Sequence, residues 1–447
     1  MHFSLPEATL KIIKQFEDQA YEIYVVGGAV RDLLMGKPVE DWDFTTNATP
    51  QEMLAFLPDA FYNNKFGTVG VPAKDKALKP YEITTFRKEY GYSDKRRPDR
   101  IEWGKTLEED LGRRDFTINA VALHHEALID PYHGQEDLKK KLIRAVRDPN
   151  ERFSEDALRM MRAVRITTEL NFKIEAKTLA AIKTNATLIN KIAKERVRDE
   201  LFKILLSSHP SEGILLLKEA GLMQEILPEL EKTFGVEQKS PQRHHIYDVG
   251  THCLMSLKHC ESDDPIVRFA TLIHDIGKPQ TFKRQENQVI TFYNHEVVST
   301  QIARRIADRL HLSKEQKEKL IKLVRWHQFS VDEHQTDAAL RRFIKRVGQE
   351  NVADMLKLRV ADRLGGGARE TSWRLEKYKK RLVEVQKQPF TVRDLKVTGH
   401  DVIQIMNLKP GPKVGQILES LFHEVVQGRI PNEKAALIKQ LNLLRHQ

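Results

Sequence analysis

The stretch Ile23-Tyr24-Val25-Val26-Gly27-Gly28-Ala29-Val30-Arg31-Asp32-Leu33-Leu34, followed by Asp41-Trp42-Asp43, decides how this chain is read. A short apolar run ends at a glycine pair, a helix-like segment follows, and two carboxylates then stand two residues apart. Side chains i and i+2 of an extended strand share a face, so Asp41 and Asp43 are expected to project together and to share divalent cations. Carboxylate oxygens are hard ligands suited to Mg2+, which also takes substrate phosphates as ligands. Gly27 and Gly28 leave room for backbone N–H groups to approach a triphosphate, the start of the next helix favours negative charge, and Arg31 offers a forked phosphate contact. The pattern predicts nucleotidyl transfer, with one metal activating an incoming hydroxyl and a second steadying the leaving pyrophosphate. DxD and Gly-Gly are each common in solvated loops and turns, so the ordered set carries the reading.

GGAVRDLLMGKPVEDWDFTT, residues 27–46, resembles motif A of the class II tRNA nucleotidyltransferases, the CCA-adding enzymes of the polymerase β superfamily. The resemblance continues along nearly the whole chain. It implies an α+β multi-domain protein with a polymerase β-like nucleotidyltransferase head, followed by an all-helical neck and body. The implied substrates are CTP and ATP, the partner is tRNA, and the head cofactor is Mg2+.

Composition is consistent with that expectation. The chain has 447 residues, enough for two to four domains. Its 73 Lys+Arg outnumber 63 Asp+Glu, a formal net charge of +10 that suits a polyanionic partner without saying which. The two cysteines, Cys253 and Cys260, build no disulfide framework and are expected as buried helical thiols. No apolar run is long enough to cross a bilayer and the start lacks a signal-peptide layout, so no membrane partner and a cytoplasmic location are expected.

Strand and helix signals alternate through residues 1–147, the expected head. Candidate strands are Tyr24–Val26, Asp41–Thr45, Thr68–Val71, Tyr81–Phe86 and Ala120–Leu123. Residues 148–240 carry long amphipathic patterns, Glu155–Glu169, Lys194–Leu206 and Ser211–Ile226, and are expected as a neck and body that read the nucleobase and bind RNA. Residues 241–388 form a second helical block rich in His and Asp, and 389–447 a helical tail expected to touch tRNA.

Within the head, Glu82 is either a third carboxylate near the pair or a surface strand residue. The polar stretch Lys88–Ile101, with Tyr92, Asp94, Arg96, Arg97 and Pro98, is expected not to pack as an element. It resembles the family's flexible loop, which implies a switch from C to A addition. Arg113-Arg114-Asp115-Phe116-Thr117-Ile118-Asn119-Ala120 resembles the family's RRDFTxNA motif. The resemblance implies nucleotide contacts from Arg113, Arg114, Asp115 and Asn119, with Asp115 accepting a ribose hydroxyl; a cluster of paired charges at a helix end is the plainer alternative.

The neck holds Arg152-Phe153-Ser154-Glu155-Asp156-Ala157-Leu158-Arg159-Met160-Met161-Arg162. Ser154 is a candidate N-cap, which puts Asp156 and Arg159 three residues apart on one helix face. Cytosine and adenine both present an amino donor beside a ring-nitrogen acceptor. A carboxylate and a guanidinium match that order, whereas uracil and guanine present it reversed. A mismatched buried polar pair costs about 1–3 kcal/mol per group, enough to reject UTP and GTP. An ordinary helical ion pair is the alternative. EDALRMMRAVR resembles the family's base-reading motif, which adds Arg162 as a supporting residue. Lys194–Leu201 resembles the next motif, implied to brace the neck.

His252, His274, Asp275, His295, His327 and Asp362 form an ordered series around the core His274-Asp275-Ile276-Gly277-Lys278. The block resembles the HD superfamily of metal-dependent phosphohydrolases, which implies a divalent metal of unspecified identity. His244, His245 and His334 lie nearby as surface or supporting groups. In the tail, Gly411-Pro412-Lys413-Val414-Gly415 is either a phosphate contact or a plain helix start. The expected activity is template-independent CCA addition to tRNA. Its rivals are an A-adding enzyme or poly(A) polymerase, and a metal phosphohydrolase whose head only docks RNA.

Overall fold

Val26, Asp43 and Glu82 line up across three adjacent strands, and that register positions the head site. The structure, a computed structural model, describes residues 5–64, 67–73, 80–90, 100–104, 106–238, 247–286, 288–331, 335–368, 372–386, 392–427 and 429–445. The head strands are β1 (Ile23–Val26), β2 (Asp43–Thr46), β3 (Phe61–Asn64), β4 (Thr68–Val71), β5 (Tyr81–Thr85), β6 (Arg87–Tyr90), β7 (Arg100–Trp103), β8 (Ala122–His124) and β9 (Ala127–Ile129). Seven of them make one sheet in the order β3-β4-β5-β2-β1-β8-β9. Only β2 and β5 run parallel in it. Phe16, Val25, Phe44, Val69 and Ile83 are among the residues of its buried core, with the helix Glu7–Glu17 laying Ile12, Ile13 and Phe16 against the strands.

The expected strand Asp41–Thr45 begins only at Asp43, so Asp41 and Trp42 precede it. The cause is the neighbour: Val26 pairs with Asp43, and β1 then ends at Gly27, whose φ of +74° turns the chain away. Period-two alternation along β2 places Asp43 with Thr45, while Asp41 stands before the strand and outside its alternation. Opposite it, Glu82 of β5 sits in parallel register with Asp43 and on the same face.

The stretch expected not to pack is in part a ribbon. β6 and β7 pair antiparallel from Arg87↔Trp103 to Tyr90↔Arg100. Gly104 makes this return feasible, since a Cβ there would lie 3.0 Å from the Arg87 backbone nitrogen. Tyr92, Asp94, Arg96, Arg97 and Pro98 lie outside the described residues, as do His244, His245 and His334.

Two expected helices are each broken in two. Glu155–Glu169 is observed as Pro149–Glu155 and Leu158–Leu170, with Asp156 extended at φ −133° and ψ 102° between them. Asp148 caps the first of these by accepting from Asn150 and Glu151 N–H, and Ser154 is no cap, for its hydroxyl donates to the Glu151 carbonyl. Ser211–Ile226 splits at Gly221, which takes φ +74° between Pro210–Glu219 and Leu222–Ile226.

One buried apolar cluster runs from Phe116 to Ala361, so the neck, the body and the His/Asp-rich helices share a core. The tail has its own, built on Val402, Leu421, Leu437 and Leu441. Thr398 and Asp401 form a capping box there, and Pro412 opens the helix Pro412–Val426 just after Gly411. Cys253 and Cys260 are buried and unbridged, the first inside the helix Val249–Lys258 and the second just past its end. Among the described residues no helix is long and apolar enough to cross a membrane.

Candidate active site and metal centre

Gly27 stands where the head's charges meet. A Cβ on it would lie 3.2 Å from Arg114 Nη1 and 3.4 Å from Asp43 Oδ2, so the bare backbone faces a guanidinium and a carboxylate at once. Asp43 is half-buried and Asp41 exposed. Arg113 and Arg114 both grip Asp110, a fully buried carboxylate: Arg113 Nε and Nη2 lie 2.9 and 2.7 Å from Oδ1, and Arg114 Nη2 lies 3.2 Å from Oδ2. Burial pushes the Asp110 carboxyl up, but the two guanidinium charges outweigh it and hold it below the usual range.

Arg31 uses its fork inside the protein. Nε and Nη2 donate to Asp32 at 2.9 and 3.0 Å, and Nη1 donates to Asn119 Oδ1 at 3.0 Å. Asn119 in turn donates to Asp115 Oδ1 at 3.1 Å, and Arg162 of the neck donates twice to Asp115 Oδ2, at 2.8 and 2.6 Å. Burial opposes the charged form of Asp115, yet the Arg162 guanidinium and the Asn119 hydrogen bond keep it well below the usual carboxylate range. Asp115 thus ties head to neck, and contact with a ribose hydroxyl requires one of these partners to yield.

The neck residues meet the head across a cleft of about 450 Å³, whose lining includes Arg113, Asp115, Asp156, Arg159, Arg162 and Arg196. Asp156 and Arg159 do not share one helix, because the chain is extended at Asp156. Nor do they form the ordinary helical ion pair. Asp156 accepts from the Leu158 N–H at 3.0 Å and from Arg196 Nη2 at 3.0 Å. Arg159 Nη1 donates to Glu155 Oε2 at 2.6 Å and to the Arg152 carbonyl at 3.1 Å, while Nη2 donates to the Arg113 carbonyl at 3.0 Å. Each base-reading candidate is therefore held by its own brace, which leaves both beside the cleft.

The six His and Asp positions of the later block come together in one buried cluster. His252 Nε2 lies 3.2 Å from His274 Nε2 and 3.1 Å from Asp362 Oδ1. His295 Nε2 lies 3.1 Å from Asp275 Oδ1 and 3.3 Å from His327 Nε2. The outward nitrogens are anchored: His274, His295 and His327 Nδ1 lie 2.7, 2.9 and 2.7 Å from the carbonyls of Thr271, Phe292 and Val324. A carbonyl can only accept, so each Nδ1 carries a proton and each Nε2 faces inward, where it ligates a metal once it holds no proton itself. Burial opposes a charged His274, but Asp275 and Asp362 push it up to about 10. The donor set of imidazoles and carboxylates fits one or two divalent ions.

Three family models match in order along the chain: the poly A polymerase head domain over residues 23–144, a probable RNA- and SrmB-binding site of polymerase A over 171–234, and the putative tRNA nucleotidyltransferase domain 2 over 281–441. The CCA-adding enzyme of Pediococcus pentosaceus is 34% identical over 436 residues, covering 97% of each chain. The chain belongs to the CCA-adding enzymes. That of Levilactobacillus brevis is also 34% identical, over 97% of this chain and 96% of its own. The crystal structure of the Bacillus stearothermophilus CCA-adding enzyme in complex with CTP shares 30% identity and a TM-score of 0.70, covering 98% of this chain and 97% of that one. The Thermotoga maritima CCA-adding enzyme complexed with tRNA shares the fold, with a TM-score of 0.58 at 20% identity over 99% of this chain and 97% of its own. CCA-adding enzymes use divalent metal ions.

Two residues of this CCA-adding enzyme escaped the reading of its sequence as site residues. Asp110 stands three and four residues before Arg113 and Arg114 on the end of one helix, a spacing that announces ion pairs. Arg196 belongs to the segment expected to brace the neck, and its brace acts on Asp156 itself.

Glycines set the helix approaches around the His/Asp cluster. A Cβ on Gly365 would lie 2.5 Å from the Ser256 nitrogen, so the helices carrying Asp362 and His252 touch backbone to backbone. A Cβ on Gly277 would lie 2.6 Å from the His295 carbonyl oxygen. Gly365→Ala is expected to force these helices apart and to cost about 1–3 kcal/mol. Thermal unfolding of the variant checks this, and an unchanged melting temperature contradicts it.

Proposed function

We propose that this chain adds CCA to the 3′ end of tRNA from CTP and ATP without a nucleic-acid template, in one site shared by head and neck. The observation that carries the reading is the cleft where Arg113–Asp115 of the head face Asp156–Arg162 of the neck. Asp41 and Asp43 are the proposed holders of Mg2+, with Glu82 placed in register to assist. When bound there, the ion supplies positive charge to the reacting phosphate and the attacking hydroxyl. Gly27 admits the triphosphate to the backbone, beside Arg114 and Asp43. Asp156 accepts a hydrogen bond from the amino group of cytosine or adenine, and Arg159 donates one to the adjacent ring nitrogen. Arg196 and Glu155 hold these two groups in place. Arg31, Asn119, Asp115 and Arg162 form the strut that fixes the neck on the head.

The proposed units are residues 1–147, 148–240, 241–388 and 389–447, and the proposed compartment is the cytoplasm, where two unbridged thiols belong. The test of the whole reading is addition to tRNAs lacking one, two or three terminal nucleotides, with each nucleotide supplied singly and together. Two C residues and then one A are expected on the shortest tRNA. An A added only to tRNA already ending in CC, or an open-ended A tail, supports the rivals instead.

His252, His274, Asp275, His295, His327 and Asp362 are proposed as an HD-type divalent metal centre. A metal there supplies Lewis-acid polarisation of a phosphate. His274→Ala is expected to abolish metal-dependent phosphohydrolase activity and to leave CCA addition within about twofold of wild type, since no residue of this cluster lines the neck cleft. Loss of both activities in a folded variant contradicts the separation.

A further inference from the structure

Outside both sites, two neighbouring histidines converge on one carboxylate. His125 Nε2 lies 2.7 Å from Glu17 Oε1, and His124 Nε2 lies 3.2 Å from the same oxygen. The three ligand atoms all fall within 4.8 Å of one another. His124 Nδ1 lies 2.9 Å from the Ile23 carbonyl, so Nδ1 carries a proton and Nε2 is the nitrogen turned toward Glu17, available to a cation once it holds no proton. Consecutive residues of a strand point to opposite faces, yet both rings reach one point. They do so because His125 takes φ +49°, at the first position of the two-residue loop His125–Glu126 between β8 and β9. That position favours Gly, Asn or Asp. An ion pair with Glu17 needs one imidazole; two imidazoles on one oxygen are the arrangement that a cation between them organises.

We propose that Glu17, His124 and His125 form a metal site for a borderline transition-metal cation of the Zn2+, Ni2+ or Co2+ kind. Imidazole nitrogens with one carboxylate suit these ions better than Mg2+. The ligands are partly exposed, which admits the ion from solvent and leaves coordination positions for water. The site lies at the Ile23 end of β1, about 13 Å along the strand from Gly27. Its effect is a clip that joins the end of the helix Glu7–Glu17 to the β8–β9 hairpin, across 108 residues of chain. A cation that binds only the folded head stabilises it by mass action.

The test uses the full chain and Zn2+ alone as probe, in buffer with excess Mg2+ to hold the head carboxylates. Bound Zn2+ is counted by isothermal titration and by metal analysis after desalting. His125→Gly suits the positive φ and so keeps the turn, and Glu17→Gln keeps the shape and removes the charge. Wild type is expected to bind one more equivalent of Zn2+ than either variant, and its melting temperature to rise further on Zn2+ addition. Nucleotide addition without Zn2+ is expected to be the same in all three. Equal Zn2+ stoichiometry in wild type and both variants overturns the proposal and leaves these groups as a histidine–glutamate ion pair only.

Discussion

Asp43→Ala is expected to lower the rate of nucleotide addition by about a thousandfold or more while tRNA binding stays within a few-fold of wild type. Metal-assisted charge stabilisation in such sites is worth several kcal/mol, and about 4 kcal/mol corresponds to a factor of about a thousand. Asp43 is the carboxylate that the sheet fixes: it pairs with Val26 on one side and Glu82 on the other, and its Oδ2 lies against the bare backbone of Gly27. It is half-buried at the first position of β2, so its loss leaves the packed core of Val25, Phe44 and Ile83 intact. Asp41→Ala is expected to fall as far if both carboxylates hold the ion. Single-turnover addition and filter binding of tRNA separate the two effects. Near-normal turnover in the Asp43 variant removes Asp43 from the reaction.

Arg159→Ala is expected to lose efficiency with CTP and ATP together, by about ten- to a hundredfold in kcat/KM. Both bases need the same donor, and a buried acceptor left without one costs about 1–3 kcal/mol. Asp156→Ala is expected to weaken both as well and to narrow the gap to UTP and GTP, since the opposed acceptor is gone. Arg196→Ala offers a finer control. It leaves both base-reading groups in the chain but frees Asp156 from the guanidinium that holds it at 3.0 Å. Its expected effect is relaxed selection with binding of the triphosphate kept. Rates with all four nucleotides decide the matter. If Arg159→Ala keeps full discrimination at an undiminished rate, the neck is not the template.

Much of this arrangement is legible in the sequence because its parts are local. The strand Ile23–Val26, the glycine pair and the carboxylate at Asp43 lie within about twenty residues, and each has a plain chemical reason. The six His and Asp positions also stood out in the sequence, and the fold brings them into one cluster. What escaped depends on distant partners. Glu155–Glu169 contains only residues that a helix accepts, so nothing local announces a break at Asp156. The break comes with Arg196, forty positions away, which binds that carboxylate outside the helix. Tertiary contacts override propensity in this way. The ribbon β6–β7 was hidden similarly, since its polar residues look like a loop until Gly104 lets the return strand close on Arg87.

One protein pocket is expected to read both cytosine and adenine, and competition binding distinguishes it from two separate sites. A fluorescent CTP analogue is bound to the full-length protein in Mg2+ and then titrated with ATP, UTP and GTP. ATP is expected to displace the analogue completely, with UTP and GTP weaker by at least about tenfold, as one mismatched donor–acceptor pair requires. ATP binding alongside CTP without displacing it, or UTP competing as well as ATP, would contradict a single pocket built on Asp156 and Arg159.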